Sequence, residues 1–310
     1  MTNIHLQMLN SERNIYEVAE LFNQNRYNVS ELLEDLASPN VVDGSLLNQS
    51  SFLECEATKQ QFRIENNVID FRNGVAEIKD EAWTKANAEF LHYHRSLTLY
   101  TLINGLPLIN YLKEKTGIAD IKNATVIDVG AGTGHTLCTF FKHPETLKYY
   151  NLDPNLRLLH DQFVRIYPEL LNLKMGHLLC YAEQLPFKSG CADLVMSMTS
   201  IDHFKDYQSF MNEAFRVLKV GGRIFITSHL DLPPEKRVQS VSVASKLFSY
   251  QFWERVARFL YYRRYRVGAD DHTFHFEDMQ PLLDGLEKSG FKIQDKEEFS
   301  GNFWITAVKS

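Results

Sequence analysis

The stretch "VIDVGAGTGH", residues 126–135, constrains this fold more than any other part of the chain. Val126, Ile127 and Val129 read as a buried strand. Three closely spaced glycines, Gly130, Gly132 and Gly134, then end it in a tight turn with a helix just beyond. Such a turn lets a ligand approach bare backbone. Its spacing departs from two common phosphate-binding patterns. A dinucleotide fingerprint would need its third glycine at position 135, where His135 stands. A P-loop would need Gly-Lys-Ser or Gly-Lys-Thr, and neither occurs.

From Ala124 onward, strand-like runs at 125–129, 148–152, 175–180, 192–197 and 223–228 are separated for the most part by helical stretches. That alternation predicts an α/β fold, a doubly wound and mostly parallel sheet covered on both faces, with its ligand at the carboxyl ends of the strands. The tail differs. A helical pattern over 277–289 stops at Gly290, and two runs at 291–294 and 303–308, joined by a short link, are expected to pair antiparallel. Upstream, 82–115 reads as helical, and 11–37 carries two short helical patterns closed by Ser38-Pro39-Asn40. Alternating runs around Phe52, 62–64 and 68–71, with Asn66-Asn67 placed for a hairpin turn, form a small β unit. The predicted layout is a small α+β module over 1–80 and a larger α/β domain over 81–310, with an insertion at about 231–270.

Composition narrows the partners. A net charge of −6 gives no global attraction to nucleic acid. With 44% hydrophobic and 23% charged residues the chain is expected to be globular and soluble. No run approaches the roughly 20 apolar residues of a spanning helix. Residues 1–10 lack the basic-then-apolar order of a signal peptide, so a cytoplasmic location is expected. Cys55, Cys138, Cys180 and Cys191 form no CxxC pair and read as reduced thiols.

The glycine turn has company. Asp153 ends the second strand, with Pro154 holding it extended, and its carboxylate suits both hydroxyls of a ribose, that of NAD included. "YAEQLPF" follows the third strand, "CADLVMSMTSIDHF" contains the fourth, and "RVLKVGGRIFI" runs through a turn into the fifth. In this order the set resembles the class I S-adenosylmethionine-dependent methyltransferases, particularly the branch that includes quinone-biosynthesis methyltransferases. The likeness covers about 124–309. It implies a Rossmann-like sheet with S-adenosyl-L-methionine as cofactor. Asp128 and the turn of Gly130, Ala131, Gly132 and Gly134 would face the amino acid end of that cofactor. Asp153 and Pro154 would lie at the ribose, and Tyr181, Ala182 and Glu183 beside the adenine, with the Ala182 amide as donor. The family often has an aspartate where this chain has Tyr181. Met198 would border the methionine moiety. The N-terminal β unit is similar to zinc-ribbon modules fused or bound to some methyltransferases, but only Cys55 stands where four ligands would be expected, so no zinc is predicted there.

A methyl in flight needs an aligned acceptor in a water-poor pocket, and a base only if the acceptor must lose a proton. Asp202 and His203, in "SIDHF", are the catalytic candidates, although a histidine at this place also serves to pack the loop. In "DDHTFHF", residues 270–276, His272 and His275 either line the acceptor pocket or belong to a loop that positions the next helix, and no metal is expected. The insertion is rich in arginine, and on a helix Phe248 and Phe252 would share one face while Arg255 and Arg258 share another. Three uses fit: a lid whose arginines attract an anionic acceptor, a solvated basic face, and contact with a membrane surface through 246–266. Tyr93 or Arg95 would meet the methionine carboxylate or pack on the core. The expected activity is methyl transfer to a small-molecule acceptor. A catalytically inactive binding or scaffold protein on the same fold and an RNA methyltransferase are the alternatives, and the acidic balance speaks against nucleic acid. Acceptor, methylated atom and oligomeric state stay open at this level.

Overall fold

A computed structural model describes residues 27–39, 41, 44–65, 67–72, 106–132, 134, 136–154, 172–231, 272–299 and 301–310. The helical patterns before residue 27, the stretch 82–105 with Tyr93 and Arg95, His135, and the basic insertion with Arg255 and Arg258 lie outside the described residues.

One eleven-stranded sheet organises the described residues, in the order β1-β2-β3-β4-β7-β6-β5-β8-β9-β11-β10. After the short helix α1 (Val29–Leu32) come β1 (Leu46–Gln49), β2 (Phe52–Cys55), β3 (Gln61–Glu65) and β4 (Val68–Asp70). Helix α2 (Leu106–Lys115) leads to β5 (Thr125–Val129), the short α3 (Thr136–Thr139), β6 (Lys148–Leu152) and β7 (Gly176–Leu179). β8 (Ala192–Met198), α4 (Tyr207–Val217), β9 (Leu218–His229), α5 (Gln280–Lys288), β10 (Phe291–Phe299) and β11 (Asn302–Lys309) complete it.

The centre, from β4 through β7, β6, β5 and β8 to β9, is parallel. Its inner strands are buried almost throughout, as strands covered on both faces must be, so they read as apolar runs without alternation. From β5 the chain winds outward to β6 and β7, then returns to place β8 on the other side of β5. The order therefore reverses between β5 and β8, which opens a crevice at their carboxyl ends. The glycine turn follows β5 there.

The expected β unit of the N-terminal module lies along the edge of this same sheet. β1 to β4 form an antiparallel meander, and β4 then pairs in parallel with β7, Val68 opposite His177 and Asp70 opposite Leu179. Leu53, Cys55, Phe62, Ile69 and Phe71 belong to one apolar core with Leu178, Cys180 and Phe187. At the far edge β11 runs antiparallel between β9 and β10, as the two late apolar runs implied.

Helix α4 shows how the covering layer forms. Asp206 caps it by accepting from the Gln208 amide at 2.9 Å. Phe210, Met211, Ala214 and Val217 then fall on one face and are buried, packing toward α5, whose Leu282 and Leu286 are equally enclosed. Gly285 of α5 lies so near that an added Cβ would meet the Met211 sulfur at 2.8 Å. Lys309 closes α4 by donating to the Phe215 and Leu218 carbonyls at 2.7 and 2.8 Å.

Candidate functional site

The glycine turn is shaped by what lies behind it. Gly130 has φ +72, and a Cβ there would sit 2.5 Å from Ser200 Oγ. At Gly134, also at φ +72, it would meet Asn151 Nδ2 at 2.6 Å. Only glycine fits either place. The Gly130 and Ala131 amides donate to the Leu152 carbonyl at 2.8 and 3.0 Å, which sews the turn to the end of β6. Ser200 Oγ donates to the Val129 carbonyl at 3.1 Å and lies 2.8 Å from Ser197 Oγ, so the segment after β8 braces the turn from the other side.

Asp128 lies one residue from the end of β5 and is buried. Tyr149 Oη donates to its Oδ2, while Oδ1 is shut from solvent with no hydrogen-bond partner among the described residues. Burial pushes its carboxyl up to about 7, and the nearby Asp153 charge adds to that against the opposing Tyr149 and Thr136 hydroxyls. Burial and the Asp128 charge likewise raise the Tyr149 phenol well above its ordinary value. A buried carboxylate with one open oxygen suits a cationic partner.

Asp153 follows β6 and accepts from the Gly132 amide through Oδ2 at 3.0 Å, so it holds the turn from below. One oxygen of Glu183 accepts from the Lys205 and Asp206 amides at 2.7 and 3.2 Å. That oxygen ties the loop after β7 to the entry of α4. Ala182 is buried, Tyr181 and Pro154 are half-buried, and Met198 stands half-buried at the end of β8. Thr199, next in line, has φ 54, a strained conformation for a β-branched residue. Its amide donates to the Thr227 carbonyl at 2.7 Å, which holds it there.

A second group of side chains gathers across the crevice. Residues 201–203 make a 3₁₀ turn after β8, and the segment 272–276 lies against it: the Phe274 amide donates to the Asp202 carbonyl at 2.9 Å. His272 Nδ1 is thereby held 2.7 Å from Asp202 Oδ2, and the His203 ring lies 4.6 Å from that of His272. His275 instead reaches Asp231 at 2.5 Å, where both side chains are more than half exposed. The structure thus brings Asp202, His203 and His272 together and leaves His275 at the rim.

Arg72 is a residue that sequence reasoning missed. It pairs with Asp70 at 2.6 Å and donates to the Pro154 carbonyl at 2.9 Å, so the N-terminal unit braces the loop that carries Asp153. Only the positive end of "VIDFR" could have hinted at it.

Residues 127–226, from β5 into β9, match the family described as "Methyltransferase domain". This stretch, about a third of the chain, is similar to a methyltransferase domain. It is 34% identical over 102 residues to a chloroplastic 2-methyl-6-phytyl-1,4-hydroquinone methyltransferase of Spinacia oleracea, covering 33% of this chain and 28% of that protein. To the ubiquinone/menaquinone biosynthesis C-methyltransferase UbiE of Ruegeria sp. it is 25% identical over 169 residues, 54% of this chain and 66% of the relative. A solved SAM-dependent methyltransferase from Aquifex aeolicus aligns with a TM-score of 0.45 at 14% identity, covering 65% of this chain and 89% of the other. The chain spans 28% of the length of the two hydroquinone methyltransferases, from Spinacia and Oryza, that it resembles. Beyond the methyltransferase domain lie the β1–β4 meander on one side and β10 and β11 on the other. Among the described residues no helix is long and apolar enough to cross a membrane.

Proposed function

We propose that the chain is an S-adenosyl-L-methionine-dependent methyltransferase acting on a small-molecule acceptor. The observation that carries this reading is the pairing of Asp128 Oδ1, buried and without a partner among the described residues, with a turn at Gly130 and Gly134 that admits no side chain. The residues present fit the cofactor. Asp128 offers its open oxygen to an ammonium group, the glycine turn offers bare backbone, and Asp153 offers a carboxylate to the ribose diol. Tyr181 and Ala182 would flank the adenine, and Met198 would border the methionine moiety. When bound, the cofactor supplies a sulfonium-activated methyl: the carbon–sulfur bond breaks, its electron pair stays on sulfur, and a bond from carbon to the acceptor forms.

On the acceptor side, Asp202 and His203 stand where a proton leaving the acceptor can be received, and His272 and His275 line the approach. Relatives of the methyltransferase domain are named for hydroquinones, which supports an aromatic acceptor with ionisable hydroxyls. Arg255 and Arg258 would draw such an acceptor in as an anion. Raised acceptor KM on neutralising both is the expected result, and an unchanged KM removes them from this role.

The cofactor reading is tested by calorimetry with S-adenosylhomocysteine. Wild type should bind one equivalent, and Asp153→Ala should bind roughly 10-fold or more weakly, as for loss of a charge-assisted hydrogen bond. Absence of binding to the folded wild-type protein would sink the reading.

A further inference from the structure

The buried carboxylate of Asp202 raises a question that methyl transfer alone does not answer. Asp202 is 4% exposed, its Oδ2 is engaged by His272, and its Oδ1 has no hydrogen-bond partner among the described residues. An unsatisfied oxygen on a buried carboxylate is costly unless a partner takes it up. His203 and His272, by contrast, are each partly open to solvent. One ligand atom from each of Asp202, His203 and His272 lies within 4.8 Å of the other two.

We propose that Asp202, His203 and His272 bind a divalent transition-metal ion at the acceptor edge of the site. Two imidazoles and one carboxylate form a mixed nitrogen–oxygen set of the kind that suits zinc or manganese, whereas calcium and magnesium favour oxygen alone. Three protein ligands leave a position open, the arrangement of catalytic metal sites. Around zinc at about 2.0–2.2 Å, donors stand roughly 3.4 Å apart, so the 2.7 Å contact of His272 with Asp202 must open slightly while the wider spacings within the group, up to 4.8 Å, close. The backbone around them is already fixed. The His203 amide donates to the Ser200 carbonyl at 3.0 Å, Ser200 holds Val129, and the Phe274 amide holds the Asp202 carbonyl, so the cluster stays beside the glycine turn.

The sequence resemblance implies no metal at "DDHTFHF", since related methyltransferases often have a similar histidine-rich lead-in to the last helix without one. The structure groups His272 with Asp202 and His203, residues from the 3₁₀ turn after β8 that are remote from it in sequence. Within the methyltransferase reading, on which this part of the inference rests, the open position takes the hydroxyl oxygen of an acceptor. With Asp202 and His203 engaged as ligands, the ion would take over their proton-receiving role by making that hydroxyl more acidic, and the proton would leave to solvent before or as the acceptor attacks the methyl.

Untagged protein, stripped with chelator, is titrated with Zn²⁺ and separately with Mn²⁺ by calorimetry, and retained metal is counted by mass spectrometry after gel filtration. About one ion per chain is expected for wild type, with at least ~10-fold weaker binding in His272→Gln and in Asp202→Asn. His203→Gln provides a third variant should Asp202→Asn fail to fold, and His143→Gln, at a remote turn, should bind like wild type. Substoichiometric metal in wild type, or undiminished binding in both His203→Gln and His272→Gln, overturns the site. Calorimetry with S-adenosylhomocysteine on the same samples separates the two readings. Metal bound without the nucleoside defeats the methyltransferase reading alone, and the nucleoside bound without metal defeats the metal alone.

Discussion

The two walls of the crevice are held in place by different physics. On the β5–β6 side the glycine turn is packed on all sides: Leu152 takes its amides, Asp153 takes that of Gly132, and the Ser200 and Asn151 side chains fill the space a Cβ would need. On the β8–β9 side the wall is a set of imidazoles and carboxylates whose burial falls steadily outward, from Asp202 through His272 to His275 and Asp231. Steric fit and one buried charge govern the first wall, and charge placed at graded depth governs the second. Substitutions should therefore act strongly and sharply on the first, and by amounts set by exposure on the second.

Gly130→Ala attacks the packed wall directly and should have the largest effect. The left-handed backbone and the overlap with Ser200 together cost roughly 2–5 kcal/mol. Loss of measurable S-adenosylhomocysteine binding in calorimetry is expected, with a lowered melting temperature. Retained affinity would mean that the turn can relax, and the contrast between the walls would collapse.

Asp128→Asn separates the buried charge from the packing. The folded-state carboxyl is raised from 3.8 to about 7, so its contribution to stability is fully present below pH 4 and is lost as pH rises through about 7. A shift of about three units corresponds to on the order of 4 kcal/mol lost by wild type across that window. Asparagine cannot titrate. The variant should melt close to wild type at pH 4 and several degrees higher at pH 8, yet bind S-adenosylhomocysteine roughly 10-fold more weakly at pH 8. Parallel melting curves at the two pH values would show that the carboxylate is not the charge this wall tolerates for function.

Arg72→Ala probes how far the packed wall extends. Arg72 is one-third exposed and grips Asp70 and the Pro154 carbonyl, so its loss loosens the loop bearing Asp153 without touching the turn. A fall in S-adenosylhomocysteine affinity of about 3- to 10-fold is expected, as for removal of one charge-assisted hydrogen bond at a positioning residue. An unchanged affinity would make β1–β4 an edge cover with no part in the site.

This residue also marks the limit of what the sequence disclosed. The turn, Asp128 and Asp153 were legible because each lies at or just past the end of a strand whose apolar run ends visibly, and the reversal of strand order brings such ends together. The antiparallel tail was legible for the same reason. Arg72 was not, since its partner Pro154 comes from another strand end, and the parallel pairing of β4 with β7 leaves no signature in either segment. Asp202 and His272 were each singled out, but their contact depends on the packing of 272–276 over the 201–203 turn. The "DDHTFHF" spacing suggested local partners because helix and loop periodicities report only near neighbours.

The smallest effect belongs to the outermost pair. His275 and Asp231 are separated by only 2.5 Å, but their side chains are 65% and 54% exposed, so water screens the attraction and ordering both side chains offsets part of it. A double-mutant cycle of His275→Ala and Asp231→Ala, read by chemical denaturation, should give a coupling of about 1 kcal/mol or less. The Asp231 amide also donates to the Phe276 carbonyl at 2.8 Å, a backbone bond that survives both substitutions and keeps the segment in register. A coupling well above that figure would mean that the rim is shielded from solvent, and that the grading of charge by depth, which distinguishes this wall from the glycine turn, does not hold.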